Sequence, residues 1–119
     1  MIKDSTPQAV ESCHQLLLWL VPQLDKFPRN RRYTLGEKME SNLLSVLENL
    51  IAAAYQHRKK SLLDEANRKL SVVRHLWRLA MELNAVSHKS YEHGAKLMVE
   101  LGNQIGGWVK HEKSRRSLA

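Results

Sequence analysis

The side chains with the clearest chemical potential in this sequence are its cations. Lysine and arginine total 19 against 12 aspartates and glutamates, so the 119-residue chain carries a formal net charge of +7. Positive patches attract polyanions, and each phosphate that they neutralise releases counterions into solution. The summed surplus therefore predicts contact with nucleic acid, whereas any single arginine, taken alone, is better explained as part of a solvated face.

The cations fall into four groups along the chain. The candidate nucleic-acid-binding residues are Lys26, Arg29, Arg31 and Arg32 in the first connection, Arg58, Lys59 and Lys60 at the second corner, Arg68, Arg74 and Arg78 in the third helix, and Lys110, Lys113, Arg115 and Arg116 near the C-terminus. Two i,i+4 pairs, Asp64 with Arg68 and Arg78 with Glu82, can neutralise part of the third-helix charge. The sequence has no zinc-finger, KH or aromatic RNP motif, which predicts binding to backbone or shape rather than to base sequence.

Signals of catalysis or metal binding are weak. The six histidines show no His-Glu-x-x-His or other ligand spacing on one helix face, and the sequence has no glycine-rich phosphate loop. The single cysteine, Cys13, lies on an apolar stripe and is expected to be a small buried hydrophobe. We therefore expect no catalytic activity, metal or cofactor. Cysteine usage and the absence of a long apolar run predict a cytoplasmic protein without a membrane span.

Apolar residues repeat at helical spacing along nearly the whole chain. The predicted core stripes are Val10, Cys13, Leu17, Leu20, Leu24 and Phe27 in the first helix, Met39, Leu43, Leu47, Leu50 and Ala54 in the second, Leu63, Ala66, Leu70, Val73, Trp77 and Ala80 in the third, and Tyr91, Ala95, Met98, Leu101, Ile105 and Trp108 in the fourth. This pattern predicts an all-α fold, an antiparallel up-down-up-down four-helix bundle. The bundle is expected to be one domain over residues 1–109, followed by a basic C-terminal tail over 110–119.

The helix starts are predicted from capping signals. Residues 27–33 read as a loop opened by Pro28, and Thr34 with Glu37 has the form of a capping box that starts the second helix. Ser61 and Ser87 are the expected N-caps of the third and fourth helices.

The chain has more apolar residues than a bundle core needs. The additional ones are Val72, Leu76, Leu79 and Leu83 in the third helix, Leu44, Ile51 and Tyr55 in the second, and Leu16 and Trp19 in the first. The third-helix set forms a second stripe, roughly 100–120° from the core stripe. One interpretation is a broad core face; the other is a subunit interface, because so large an apolar patch would not stay exposed on a monomer.

Glycines near the end of the fourth helix indicate either the close approach of another helix or subunit, or fraying of the helix end. Gly102 and Gly106 share one helix face, Gly107 follows, and Trp108 comes next and needs burial. Close approach of another helix or subunit is favoured over fraying, since a helix end usually needs only one glycine. The predicted oligomer interface is therefore Val72, Leu76, Leu79, Leu83, Gly102, Gly106, Gly107 and Trp108.

Three stretches carry a family resemblance: FPRNRRYTLGE at 27–37, RHLWRLA at 74–80 and IGGW at 105–108. They resemble a four-helix bundle superfamily that contains two branches. One comprises the accessory variability determinant proteins of diversity-generating retroelements; the other comprises proteins encoded in intervening sequences of bacterial large-subunit ribosomal RNA genes. The matching residues are Pro28, Arg29, Arg32 and Tyr33, then Arg78, and finally Gly106, Gly107 and Trp108.

The resemblance implies a homopentameric barrel without catalytic activity. In the retroelement branch it implies association with a reverse transcriptase and with template RNA or the derived cDNA, in support of mutagenic retrohoming. The basic character and the glycine-rich end of the fourth helix favour this branch. The alternative is a protein-only interaction module of the intervening-sequence type, in which acidic residues of the assembly would pair with most of the cations.

Overall fold

The computed structural model of the protein describes residues 7–118, and for residues 115–118 it describes the backbone alone. Within this range all regular structure is helical. The four main helices are α1 Gln8–Asp25, α2 Glu37–Ala54, α3 Lys60–Glu82 and α4 His88–Leu118. This confirms the predicted all-α fold with four helices, whereas the pentamer stays a prediction.

The helices pack as an elongated bundle of about 51 × 25 × 21 Å. Helix α1 packs against α2 and α4, and α3 packs against the same two neighbours. Neighbours run antiparallel: the Trp77 indole on α3 donates a hydrogen bond of 2.9 Å to the carbonyl of Tyr91 at the start of α4, while Leu70 faces Gly102 further along both helices. Two ends result, which we call the Pro28 end (the α1–α2 and α3–α4 connections) and the tail end (the α2–α3 connection and the C-terminal part of α4).

The core follows the predicted stripes with a few exchanges. All six residues of the α3 stripe are buried, as are Met39, Leu43 and Leu50 of α2. Val46 and Ala53 are buried in α2, whereas Leu47 and Ala54 are half-buried. In α1, Leu16 is buried and Trp19 is partly buried, so these two residues belong to the core and not to a surplus stripe. Trp19 lies on the side of α1 that faces α4, where its ring contacts those of Trp77 and His93.

Trp77 occupies the centre of the aromatic part of the core. Its ring is fully buried, and its centroid lies 6.0 Å from that of Trp19, in an edge-on arrangement, and 6.3 Å from that of Phe27. Cys13 is also fully buried, as predicted, and burial raises the pKa of its thiol to about 12. The thiol therefore stays protonated at neutral pH and serves as packing material.

Gly94 on α4 leaves room for the Trp77 and Trp19 rings, so a larger residue at position 94 should destabilise the fold. A Cβ at this position would lie 2.8 Å from Trp77 Nε1 and 2.9 Å from Trp19 Cζ3. The Trp77 indole cannot move aside without losing its hydrogen bond to the Tyr91 carbonyl. Gly94→Ala is therefore expected to lower the free energy of unfolding by about 1–3 kcal/mol, despite the better helix propensity of alanine.

Denaturant unfolding of equal concentrations of the variants tests this expectation. Gly102→Ala is the matched control, because a Cβ there meets only Leu70 Cδ2 at 3.7 Å, an ordinary packing distance, and the alanine should stabilise α4 by up to about 1 kcal/mol. A Gly94→Ala protein as stable as the parent would show that the two tryptophans repack freely.

The predicted start of the second helix is wrong. Pro28 is the N-cap of a short helical turn over Arg29–Arg31. A π-helical turn over Arg32–Gly36 follows and leads directly into α2. The Thr34 hydroxyl donates to the carbonyls of Asn30 and Arg31, both at 3.3 Å, and caps nothing. The residues predicted as a loop are thus helical because Pro28, which cannot extend a preceding helix, is well suited to begin a new one.

Of the two N-caps predicted for α3 and α4, the first is wrong and the second is confirmed. Helix α3 begins at Lys60, so Ser61 lies inside it and is not its N-cap. Ser87 does cap α4, since its hydroxyl accepts a hydrogen bond of 3.2 Å from the amide of Ser90. Asn84, at a φ of 63°, adopts the left-handed conformation that ends α3.

The C-terminal segment is helical. Helix α4 does not end near Val109 but continues to Leu118, so the predicted tail over 110–119 begins as an extension of the last bundle helix. At 31 residues this helix is about 46 Å long. Its basic side chains are therefore carried on a rod, at least as far as Lys113.

Candidate nucleic-acid interface

The predicted cationic residues lie at both ends of the bundle rather than on one continuous surface. The first-connection group belongs to the Pro28 end. The second-corner group and the C-terminal group, which are distant in sequence, meet at the tail end, where Lys59, Lys60 and Leu63 line a narrow indentation together with Val109 and Lys113. The antiparallel packing of α3 on α4 brings these two groups together. The α3 arginines lie between the ends.

The Pro28 end carries cations without acidic partners. Lys26, Arg29 and Arg32 are exposed and Arg31 is half-buried. Within the side chains that the structure describes, none of the four forms an ion pair. Unpaired, solvent-accessible cations contribute to the field at the surface, so this end presents a group of cations that is available to an anion. Asp25 and Glu37 lie at the same end and reduce its net charge.

The π-helical turn shapes this end. Arg32 lies over the ring of Tyr33, with its guanidinium carbon 5.8 Å from the ring centroid, and Tyr33 itself is 59% exposed. Gly36, the last residue of the turn, is buried against Leu24 and Phe27. The turn is thus fixed to the core on one side and presents Arg32 and Tyr33 to solvent on the other.

Cations at the tail end are partly used within the fold. The Lys59 ammonium donates to the carbonyls of Ala53 and Gln56, at 2.7 and 2.5 Å, and so caps the end of α2. Lys60 pairs with Asp64 at 2.6 Å. Arg58 and Lys110 are exposed. The predicted Arg115 and Arg116 have side chains outside the described residues.

The α3 arginines differ in how far they are neutralised. Arg78 pairs with Glu82 at 3.0 Å, as predicted. The predicted Asp64–Arg68 pair is wrong, since Asp64 is engaged by Lys60 and Arg68 pairs with Glu65 at 3.1 Å. Lys69 and, after it, Arg68 lower the pKa of the Glu65 carboxyl.

Arg74 borders a groove that the sequence did not reveal. Arg74 is exposed and forms no ion pair among residues 7–114. The groove, of about 320 Å³, runs between α3 and α4. Its lining residues are Ser71, Arg74, His75, Trp77, Arg78, Tyr91, Ala95 and Met98. The groove combines a cationic rim with an apolar floor, and it depends on α3–α4 packing that no local sequence pattern indicates.

The predicted interface residues of α3 are open to solvent in the single chain. Val72, Leu79 and Leu83 are 40%, 38% and 42% exposed, and Leu76 is half-buried. The broad-core interpretation therefore does not account for this stripe. Whether another subunit covers it stays a prediction.

A second apolar face lies elsewhere on the bundle. Leu44, Ile51 and Tyr55 of α2 are exposed, together with Leu18 of α1, which the sequence analysis did not single out. The side of α2 that faces α3 is marked by Ser45, whose hydroxyl accepts a hydrogen bond from Lys69. Leu44 and Ile51 lie about 100–120° around the helix from Ser45, towards α1. The chain thus carries two separate apolar faces.

The predicted interface residues of α4 divide into two kinds. Gly102 faces Leu70 at ordinary packing distance within the bundle. Gly106 and Gly107 are exposed, with open space where a Cβ would be. Trp108 is half-buried and borders an indentation with Pro7 and Gln104. Close approach at a glycine occurs at Gly94, where the rings of Trp77 and Trp19 leave no room for a Cβ. For Gly106 and Gly107, close approach of another helix or subunit stays a prediction.

The described residues contain neither a metal-binding cluster nor a membrane-spanning helix. No group of three or more histidine, cysteine, aspartate or glutamate residues in the described part of the chain is arranged to hold a metal ion. None of the helices between residues 7 and 118 combines the length and apolar character needed to cross a bilayer.

Comparison with known proteins identifies the family. Curated proteins give no match to this sequence. A family model described as bAvd-like matches residues 8–112, which is nearly the whole bundle and includes all three connections between the main helices. The chain therefore belongs to the bAvd-like family, that of the bacterial accessory variability determinants.

Proposed function

We propose that this chain is a non-catalytic accessory protein of a diversity-generating retroelement, and that it holds template RNA or cDNA close to the reverse transcriptase in the cytoplasm. Family membership supports the assignment to a retroelement. The observation that carries the nucleic-acid role is the group of four cations at the Pro28 end, none of which has an acidic partner within the described side chains. In the protein-only alternative these cations would instead have to pair with acidic residues of neighbouring subunits.

The proposed assembly is a homopentameric ring. Two distinct apolar faces on one chain suit a head-to-tail contact, in which the α3 stripe of one subunit meets a different surface of the next; such contacts generate rings when the rotation closes. Burial of Val72, Leu79 and Leu83 in each contact would remove the largest exposed apolar stripe of α3 from water. A ring would also place five copies of the cationic Pro28 end on one particle.

A filter-binding titration against structured RNA at increasing salt tests the nucleic-acid role. If the four cations of each subunit contact phosphates, log K should fall with log salt with a slope of about −3 per subunit engaged. Absent binding, or affinity that does not change with salt, would contradict the proposal and would favour the protein-only alternative of the intervening-sequence type.

A further inference from the structure

Tyr33 is an exposed aromatic ring in the middle of the cationic Pro28 end. Its side chain is 59% exposed, whereas Tyr91 is half-buried and stacks on Trp77 with a centroid distance of 6.3 Å. Burial in the core therefore does not explain why an aromatic residue occupies position 33. The neighbouring residues Arg29, Arg31 and Arg32 supply the positive charge around it.

The backbone that carries Tyr33 has an unusual, π-helical geometry. The ring projects from the π-helical turn Arg32–Gly36, and inserted turns of this kind frequently occur at functional sites. The Thr34 hydroxyl ties the turn to the carbonyls of Asn30 and Arg31, and buried Gly36 anchors it to the core. Because the backbone at position 33 is already ordered, stacking of a flat ligand needs only the Tyr33 side chain itself to be immobilised.

Arg32 prepares the ring for a particular ligand. Its guanidinium carbon lies 5.8 Å from the Tyr33 centroid, so the cation covers part of the ring and stays available to an anion. Proteins that bind single-stranded nucleic acid combine these two elements, since a cationic groove follows the backbone while bases stack on aromatic side chains. Bases inside a duplex are already stacked and cannot use the ring.

We infer that Tyr33 is a stacking platform for an unpaired base, with Arg29 and Arg32 binding the flanking phosphates. This inference rests on the proposed function and adds to it a preference of the Pro28 end for single-stranded segments over duplex. The selectivity comes from the shape of the ligand, because every base presents a flat face, and it requires no reading of base identity.

Binding measurements on matched probes test the inference. Tyr33→Ala should weaken binding of a single-stranded RNA about tenfold and leave binding of a blunt-ended RNA duplex of equal length within about twofold. Tyr33→Phe keeps the ring and should bind both probes as the parent does. Tyr55→Ala, which removes another exposed tyrosine (67% exposed) at the opposite end of the bundle, is the control for position.

A direct readout of stacking accompanies the affinities. The fluorescence of 2-aminopurine in the single-stranded probe should fall on binding to the parent and to Tyr33→Phe, but not on binding to Tyr33→Ala at saturating protein. Equal losses on both probes, no loss on either, or an altered oligomeric mass of Tyr33→Ala would overturn the inference. Failure of the parent protein to bind either probe would instead overturn the proposed function.

Discussion

Leu79→Asp is expected to break the assembly into single chains while the helix bundle stays folded. Leu79 is 38% exposed in the single chain, so the bundle itself tolerates a carboxylate there. In a subunit contact the same carboxylate would lose its water without gaining a partner, at an effective cost of several kcal/mol. A loss of about 4 kcal/mol per contact weakens association roughly 1000-fold.

Light scattering coupled to gel filtration measures this effect, and circular dichroism confirms that the helices remain. Ser71→Asp is the matched control, because it adds the same charge at an exposed position of the same helix that lies outside the predicted interface. If Leu79→Asp keeps the oligomeric mass of the parent, the α3 stripe is not the interface. If Ser71→Asp dissociates as well, an added charge on α3 is enough to break the assembly and the result does not single out the stripe.

The second large effect is expected from the triple replacement of Arg29, Arg31 and Arg32 by alanine. Removing three phosphate contacts should weaken RNA binding about a hundredfold at 0.1 M salt and make the slope of log K against log salt less steep by about two to three. Helicity should not change, because none of the three side chains forms an ion pair within the described chain.

A control with the same change in net charge separates local contact from overall charge. Alanine at Lys60, Arg68 and Arg78 also removes three cations, but each of these is paired with a carboxylate in the parent. This variant should lose clearly less affinity than the first one. Equal losses would mean that binding follows net charge and that the Pro28 end has no special role.

The sequence predicts well those features that are set within one helix, and poorly those that depend on contacts between helices. The α3 stripe from Leu63 to Ala80 was predictable residue by residue, because burial on one helix face follows directly from the 3.6-residue period. The exposed Val72, Leu79 and Leu83 were predictable for the same reason. These features need no knowledge of the neighbouring helices.

Features that depend on neighbours were missed or misjudged. Leu16 and Trp19 resembled surplus apolar residues because the sequence does not show which rings of other helices, such as Trp77 and His93, pack against Trp19. Pro28 was interpreted as opening a loop because proline is compatible both with loops and with the first turn of a helix. Asp64 had two cations within reach, Lys60 and Arg68, and only the folded side chains show which one it pairs with.

The candidate site shows the same division. The sequence alone identified the cationic residues, but not that two of their groups meet at the tail end or that Lys59 is engaged by helix carbonyls. The π-helical turn that presents Tyr33 has no known local signature in these residues, since Thr34 and Glu37 match a capping box equally well. Three-dimensional context was needed to separate structural cations from those that remain available to a ligand.

Co-purification with the reverse transcriptase of the same retroelement tests the central claim most directly. The two proteins would be co-expressed with the template RNA, and a tag on this chain would be used for capture, with and without nuclease treatment. We expect the reverse transcriptase and the RNA both to be retained on the tagged protein. After the Arg29, Arg31 and Arg32 replacements, the tagged protein should still form its oligomer but should lose the RNA. Capture of the tagged protein with neither the polymerase nor the RNA would contradict the central claim.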